Sequence, residues 1–369
     1  MLTKIENIKS YLNKKFVERE EIVDALFVAL VARQHTLLIG PPGTAKSALV
    51  MEFSKQVTDM SYFQWLLTRF STPEELFGPV SLQELEKGVY KRNTANKLPE
   101  SQLTFLDEIF KANSAILNAL LTLINERLFY NNGKPIQTPL QSVIGGSNEY
   151  PEEGEGLEAL FDRFLLRFEL EYIGEDANFL SMLRGDTAYV QEPIPLTMQE
   201  IENLQMLADM VDIPEEVYGT LVKIRTELRD EGIRPSDRRF RQSLSLLKAR
   251  AALDGRNSVK ITDLIILKNG LWESTDQRAK TIEIVESYST DRCSVELENI
   301  KKIAIELYSV VKQDPSTELG MEATAKFKTL LHQTASLEKM YPEREAEITI
   351  VKTQVIKAQQ LIGEALLGI

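Results

Sequence analysis

The sequence predicts an α/β core, a mostly parallel sheet sandwiched by helices, followed by an all-α lid and a C-terminal helical bundle. Three observations predict it. Apolar strands ending in glycine or acidic turns alternate with helical stretches up to about residue 190. Strand signals then disappear. The last hundred or so residues carry 3-4-3-4 apolar seams, the pattern of packed helices.

In chain order, residues 17–33 read as a helix, with Ile22, Ala25, Leu26, Ala29 and Leu30 at helical spacing. His35 to Ile39 is a short buried strand that stops at Gly40-Pro41-Pro42-Gly43, and Lys46 to Val57 returns to a helical pattern. A second apolar strand, Leu103 to Leu106, ends in Asp107-Glu108 and leads into a helix over Ala112 to Arg127. Leu128 to Thr138 contains Asn131-Asn132-Gly133, a hairpin turn signal. Gln141 to Gly146 is a further buried strand, followed by a Pro-, Gly- and Glu-rich loop at 150–156. Residues 196–273 read as helices punctuated by Pro195, Pro214 and Pro235. Residues 276–369 read as three more, separated near Asp314-Pro315 and Tyr341-Pro342. The expected domains are thus 1–190, 191–275 and 276–369.

Composition narrows the function classes. The 369 residues carry a formal net charge of −12, which weighs against a broad nucleic-acid surface built on lysine and arginine. A local basic stripe remains, Arg234 to Arg241, with four arginines in eight residues. The single cysteine, Cys293, fits a reducing compartment and an apolar filler role. Met1 to Phe16 lacks an apolar core of signal-peptide length. The longest apolar run, Ala25 to Ala32, is far shorter than the roughly 20 residues a membrane helix needs. A cytoplasmic, soluble protein with no membrane partner is expected.

Gly40-Pro41-Pro42-Gly43-Thr44-Ala45-Lys46-Ser47 is nearly G-x-x-x-x-G-K-[ST], the loop whose inward N–H groups cradle phosphates at a helix N-terminus. In that pattern Lys46 neutralises the β and γ oxygens of ATP, and the Ser47 hydroxyl completes a Mg²⁺ shell. Ala45 departs from the pattern, and its Cβ restricts the backbone where glycine would not. A glycine turn with an incidental lysine is the plain alternative. Asp107 and Glu108 at a strand end supply the second element, one carboxylate to hold Mg²⁺ and one to orient or deprotonate the attacking water. Asn148, after the next strand, offers a neutral amide beside the γ-phosphate; taken alone it is an ordinary turn residue.

Seven stretches together resemble the MoxR family of AAA+ ATPases, and within it the RavA branch. They are Gly40 to Ser47, Ser71 to Pro79, Phe105 to Ile109, Asn125-Glu126-Arg127, Ser147-Asn148-Glu149, Leu157 to Phe164 and Ser236 to Arg239, spanning roughly residues 1–275. The resemblance implies an AAA+ P-loop core in which Lys46 and Ser47 are the Walker A pair, Asp107 and Glu108 Walker B, and Asn148 sensor 1. It implies an arginine finger at Arg163, with Arg167 as the fallback one helical turn on, and a sensor 2 at Arg238, with Arg239 left open. Residues 72–95 resemble the family's helix-2 insert and 128–138 its hairpin before sensor 1. The resemblance further implies ATP and Mg²⁺ as cofactors, a homo-hexameric ring, a chaperone-like or metal-inserting role on an unknown client, and a von Willebrand factor A domain partner. Two other functions stay open: a nucleic-acid motor of the same insert-bearing clade, and a nucleotide-gated scaffold with little turnover.

Overall fold

The computed structural model describes residues 1–151, 156–185, 191–313 and 317–367. The expected loop at 150–156, the core–lid boundary near 190 and the helix break near Asp314-Pro315 fall wholly or partly outside the described residues. Contacts divide the chain into two compact units, 1–289 and 290–369.

The first unit holds β1 (Thr36–Ile39), β2 (Val57–Thr58), β3 (Tyr62–Leu66), β4 (Leu103–Asp107), β5 (Leu128–Asn131), β6 (Lys134–Gln137), β7 (Ser142–Ser147), β8 (Leu166–Glu169) and β9 (Leu196–Thr197). Five of them form one parallel sheet in the order β3-β4-β7-β1-β8. Every residue of β1, β4 and β7 is buried except the last of β4, Asp107, which is the alternation-free pattern of a sheet covered on both faces. Register sets Ile39 level with Ser147 and Glu169, and Leu66 level with Asp107, so the strand ends gather at one rim.

One apolar cluster lies under the N-terminal helices and lid, with Phe27 and Phe53 edge to face at 5.0 Å. A second covers the opposite face of the sheet, where helix Ser114–Glu126 buries Ile116, Leu120, Leu123 and Ile124 at helical spacing. The expected hairpin forms as β5 and β6 around Asn132-Gly133, both with positive φ. It is fastened to the 72–95 excursion. Asn131 exchanges two hydrogen bonds with the Arg92 backbone, at 2.8 and 3.0 Å, and Phe129 stacks on Phe77 at 5.5 Å. Two surface excursions therefore form one body.

Three elements went unread in the sequence or were read differently. Helix Leu2–Lys15 buries Ile5, Ile8, Tyr11 and Leu12 on one side. β3, Tyr62-Phe63-Gln64-Trp65-Leu66, is an edge strand whose only buried residue is Phe63. The segment around Arg167, expected as a helix face, is strand β8. The lid consists of helices Met198–Met210, Glu215–Asp230 and Asp237–Leu253, followed by the turns of Ile261–Asn269.

Helix Thr275–Ser289 belongs to the first unit, so the bundle begins at residue 290, not at 276. Thr281, Ile284 and Val285 are buried, and Lys268 pairs with Glu286 at 3.2 Å. The expected long first helix of the bundle is accordingly two, ending at Ser289 and restarting at Arg292. The second unit has helices Arg292–Gln313, Thr317–Met340 and Glu345–Leu367 around Leu297, Ile300, Phe327, Ile348, Val351 and Val355. Its seam positions are those that the apolar spacing marks. Among the described residues no helix is long and apolar enough to cross a membrane.

Candidate functional site

The loop after β1 begins where two strand ends converge on Gly40. Its N–H donates to the Ser147 carbonyl at 3.0 Å, and Thr44 Oγ1 donates to the Pro41 carbonyl at 2.9 Å, closing the loop on itself. Gly43 has φ +87°, which a Cβ would strain. Ala45 also sits in the left-handed region, at φ 65°, ψ 22°, and serves as the N-cap of helix Lys46–Lys55. The departure from glycine is thus met by a strained alanine that keeps the glycine-like conformation. The loop's shape survives.

Lys46 is buried, and its ammonium donates to the Gly40 and Pro41 carbonyls and, at 2.9 Å, to Asn148 Oδ1. Desolvation pulls its pKa below the usual lysine value, while Asp107 and Glu108 pull the other way. Asn148 Nδ2 in turn donates to Glu108 Oε1. Ser47 Oγ donates to Asp107 Oδ2 at 2.9 Å, and Asp107 Oδ1 accepts the Glu108 N–H at 3.1 Å. Residues from three strand ends therefore meet in one connected network: Lys46 and Ser47 after β1, Asp107 and Glu108 at β4, Asn148 after β7.

Close approach is enforced by a small residue. Gly146 on β7 lies so near β4 that a Cβ there would stand 2.6 Å from Asp107 Oδ1 and 3.0 Å from the Phe105 ring. Two hard oxygen donors side by side, Ser47 Oγ and Asp107 Oδ2, suit Mg²⁺, an ion that keeps water and phosphate oxygens for its remaining ligands. The inward-turned ammonium and the helix N-terminus suit phosphate. These residues fit both groups.

The arginines gather elsewhere in the unit. Helix Glu158–Phe161 ends at Asp162, whose carboxylate takes Arg163 at 3.4 Å, Arg239 at 3.4 Å and Arg238. Arg238 and Arg239 come from the start of lid helix Asp237–Leu253, so Asp162 ties lid to core. Arg163 is partly exposed and Arg238 exposed. Burial chiefly, then the neighbouring Arg238, lowers the Arg163 pKa, against the pull of Asp162.

Two of the sequence alternatives do not survive this geometry. Arg167 is 1% exposed on β8, donates to the Phe161, Phe164 and Trp272 carbonyls, and lies 3.9 Å over the Phe161 ring. A guanidinium so enclosed has no path to another subunit. Arg239 is equally buried and donates to the Asp162, Phe164, Leu165 and Gly270 carbonyls, which makes it a lid fastener. Desolvation lowers the pKa of both.

Sequence reasoning passed over three contributors. Asp162 stood inside a quoted motif without a role. Lys111, three residues after Glu108, places its ammonium 3.2 Å from Glu108 Oε2, a spacing that a 3₁₀ turn would have brought to notice. Tyr172 Oη donates to the Pro42 carbonyl at 3.3 Å, bringing the chain after β8 against the loop.

A phosphate loop heading a parallel sheet, acidic and amide residues on the adjoining strand ends, and an arginine-bearing helical lid define a P-loop nucleotide-binding domain of the AAA+ type. Residues 3–209 match the family described as the MoxR domain in the MoxR-vWA-beta-propeller ternary systems, and residues 216–285 match an AAA lid domain. The chain belongs to the MoxR family of AAA+ ATPases. It is 41% identical over 277 residues to an uncharacterized protein of Methanocaldococcus jannaschii, covering 75% of this chain and 72% of that one. It is 26% identical over 160 residues to the chaperone MoxR1 of Mycobacterium tuberculosis, 42% of this chain and 41% of the relative. A solved structure from Cytophaga hutchinsonii shares the fold, with a TM-score of 0.63 at 20% identity over 78% of this chain and 93% of that one.

Proposed function

We propose that this chain is the motor subunit of an ATP-hydrolysing ring that remodels a client protein or loads it with a metal. The observation that carries the reading is the network joining Lys46, Asn148 and Glu108, with Ser47 and Asp107 paired beside it. ATP would lie on the loop from Gly40 to Ser47, with Lys46 on its terminal phosphates. Ser47 and Asp107 would hold Mg²⁺, which when bound offsets phosphate charge. Glu108 orients a water and takes its proton as the water oxygen attacks the γ-phosphorus. The bond to the β–γ bridging oxygen breaks, and ADP leaves with that electron pair. Asn148 fixes the carboxylate's direction. Nucleotide on the loop competes with Asn148 for Lys46, so ligand binding is expected to loosen that restraint.

Arg163 and Arg238 share Asp162 and are the open members of that cluster, which favours their acting together on the nucleotide of the next subunit. A site completed by a neighbour calls for a ring, and a hexamer is the proposed form. This differs from a lid arginine reaching the phosphate of its own subunit. A von Willebrand factor A domain protein is the proposed partner, on the strength of the family description; placement in the RavA branch rests on the motif run alone. The relative named a chaperone supports a remodelling output.

Glu108→Gln tests the reading. ATP binding measured by calorimetry should persist while phosphate release stops. Unchanged turnover would refute it.

A further inference from the structure

A carboxylate that is to orient water needs a lone pair facing that water. In this structure both oxygens of Glu108 are engaged. Oε1 accepts from Asn148, and the Lys111 ammonium stands 3.2 Å from Oε2, paired by charge although not aligned as a hydrogen bond. The two restraints differ in kind. Asn148 is wired to Lys46, so nucleotide on the loop can alter it. Lys111 comes from the turn Ile109–Lys111, where its N–H donates to the Glu108 carbonyl at 2.9 Å. That bond anchors the Lys111 backbone beside Glu108 and leaves its side chain to move.

The side chains are unequal in exposure. Glu108 is 11% exposed and Lys111 41%, so the ammonium reaches in from solvent over a nearly closed carboxylate. It lines a cleft of about 320 Å³ together with Arg69, Asn113, Glu149 and Tyr150. The cleft offers the ammonium water and a second carboxylate, Glu149, once it leaves Glu108.

We propose that Lys111 is a latch on Glu108: a positioning residue that occupies Oε2 in the resting protein and slows basal hydrolysis until it swings into the cleft. The proposal rests on the reading of Glu108 as the water-orienting base. It predicts that the resting rate is limited by freeing that oxygen and not by nucleotide affinity.

The experiment compares full-length wild type with Lys111→Met, Lys111→Gln and Lys111→Arg, following steady-state ATP hydrolysis at fixed protein concentration with assembly monitored by light scattering. Met and Gln should raise kcat about two- to fivefold, the rate equivalent of a half-exposed ion pair, and leave KM for ATP within about twofold. Arg should restore the slow rate. Added salt should quicken the wild type by screening the pair and leave the Met variant flat, a response that a merely structural lysine would not give. A kcat at or below wild type in both the Met and Gln variants overturns the latch, as does a change confined to KM. Glu108→Gln separates the two ideas. If it still turns over, the reading of Glu108 fails; if it is dead while the Lys111 variants are no faster, only the latch fails.

Discussion

Replacing Gly146 by alanine is the sharpest probe of the site's construction. Gly146 is buried on β7, and its backbone angles need no glycine, so the substitution acts through space alone. The added methyl would stand 2.6 Å from Asp107 Oδ1 and 3.0 Å from the Phe105 ring, several tenths of an ångström inside contact. Phe105 is fully buried and has nowhere to turn. Asp107 is short, and each oxygen is spoken for, Oδ1 by the Glu108 N–H and Oδ2 by Ser47 Oγ. Moving the carboxylate therefore breaks at least one hydrogen bond. Overpacking of this size costs about 1–3 kcal/mol. The lost bond adds about 1 kcal/mol, so a total of about 2–4 kcal/mol is expected. Urea unfolding measures that loss, and titration with a fluorescent ATP analogue with and without Mg²⁺ measures the site. The Mg²⁺-dependent part of the affinity should fall most. Gly219→Ala, on the exposed side of helix Glu215–Asp230 with nothing within 4 Å, is the control and should be neutral or stabilising by about 0.5–1 kcal/mol. A loss under about 0.5 kcal/mol in Gly146→Ala, with Mg²⁺-dependent binding intact, would refute the reasoning.

Other outcomes can be stated briefly. Asp162→Asn keeps the shape of the hub but removes the anion shared by three arginines; turnover of the assembled protein should fall on the order of tenfold while its ATP affinity holds within about twofold. Lid docking should persist in that variant, because Arg239 keeps its four backbone carbonyls, and limited proteolysis at the lid checks this. His35 is buried, accepts the Val143 N–H on Nδ1 at 2.9 Å, and is held well below its usual pKa by desolvation and by Arg127. The unfolded chain therefore binds a proton there first, and His35's contribution to stability, full above about pH 6.5, is lost as pH falls below that value. Urea midpoints from pH 8 to 5.5 should show this slope in wild type and a flatter one in His35→Gln.

The chemical centre was legible because its requirements are local. A strand, a glycine turn and a lysine at the head of a helix occupy one continuous stretch, and Asp107-Glu108 at a strand end declare themselves by burial pattern. What could not be read was set by tertiary context. β8 alternates apolar and charged residues, Leu166-Arg167-Phe168-Glu169, but four residues are too short a run to outweigh the i, i+4 spacing of Arg163 and Arg167, so the segment passes for a helix. β3 is the exception: Tyr62-Phe63-Gln64-Trp65-Leu66 is aromatic enough to mark a strand, and it was legible but passed over. The boundary of the bundle was misplaced because helix Thr275–Ser289 has only a weak apolar face in its sequence, and only its packing on Ile261–Asn269 assigns it to the first unit. Which arginine is open and which is enclosed depends on four carbonyls from distant residues. No spacing rule contains that.

Glu108 and Ala45 share an unusual property: each has its backbone in the left-handed region, at φ 52° and 65°. For residues with a Cβ this costs about 1–2 kcal/mol apiece, and neither is glycine. Folding stability is thus diminished at both flanks of the phosphate-binding region before any ligand arrives. The consequence is a conflict between robustness and turnover. Glycine at 45 would relax the chain and restore the phosphate-loop pattern, whereas glycine at 108 would relax it only by deleting the carboxylate. Selection for stability alone would therefore act against the Glu108 side chain, the group on which the proposed hydrolysis depends.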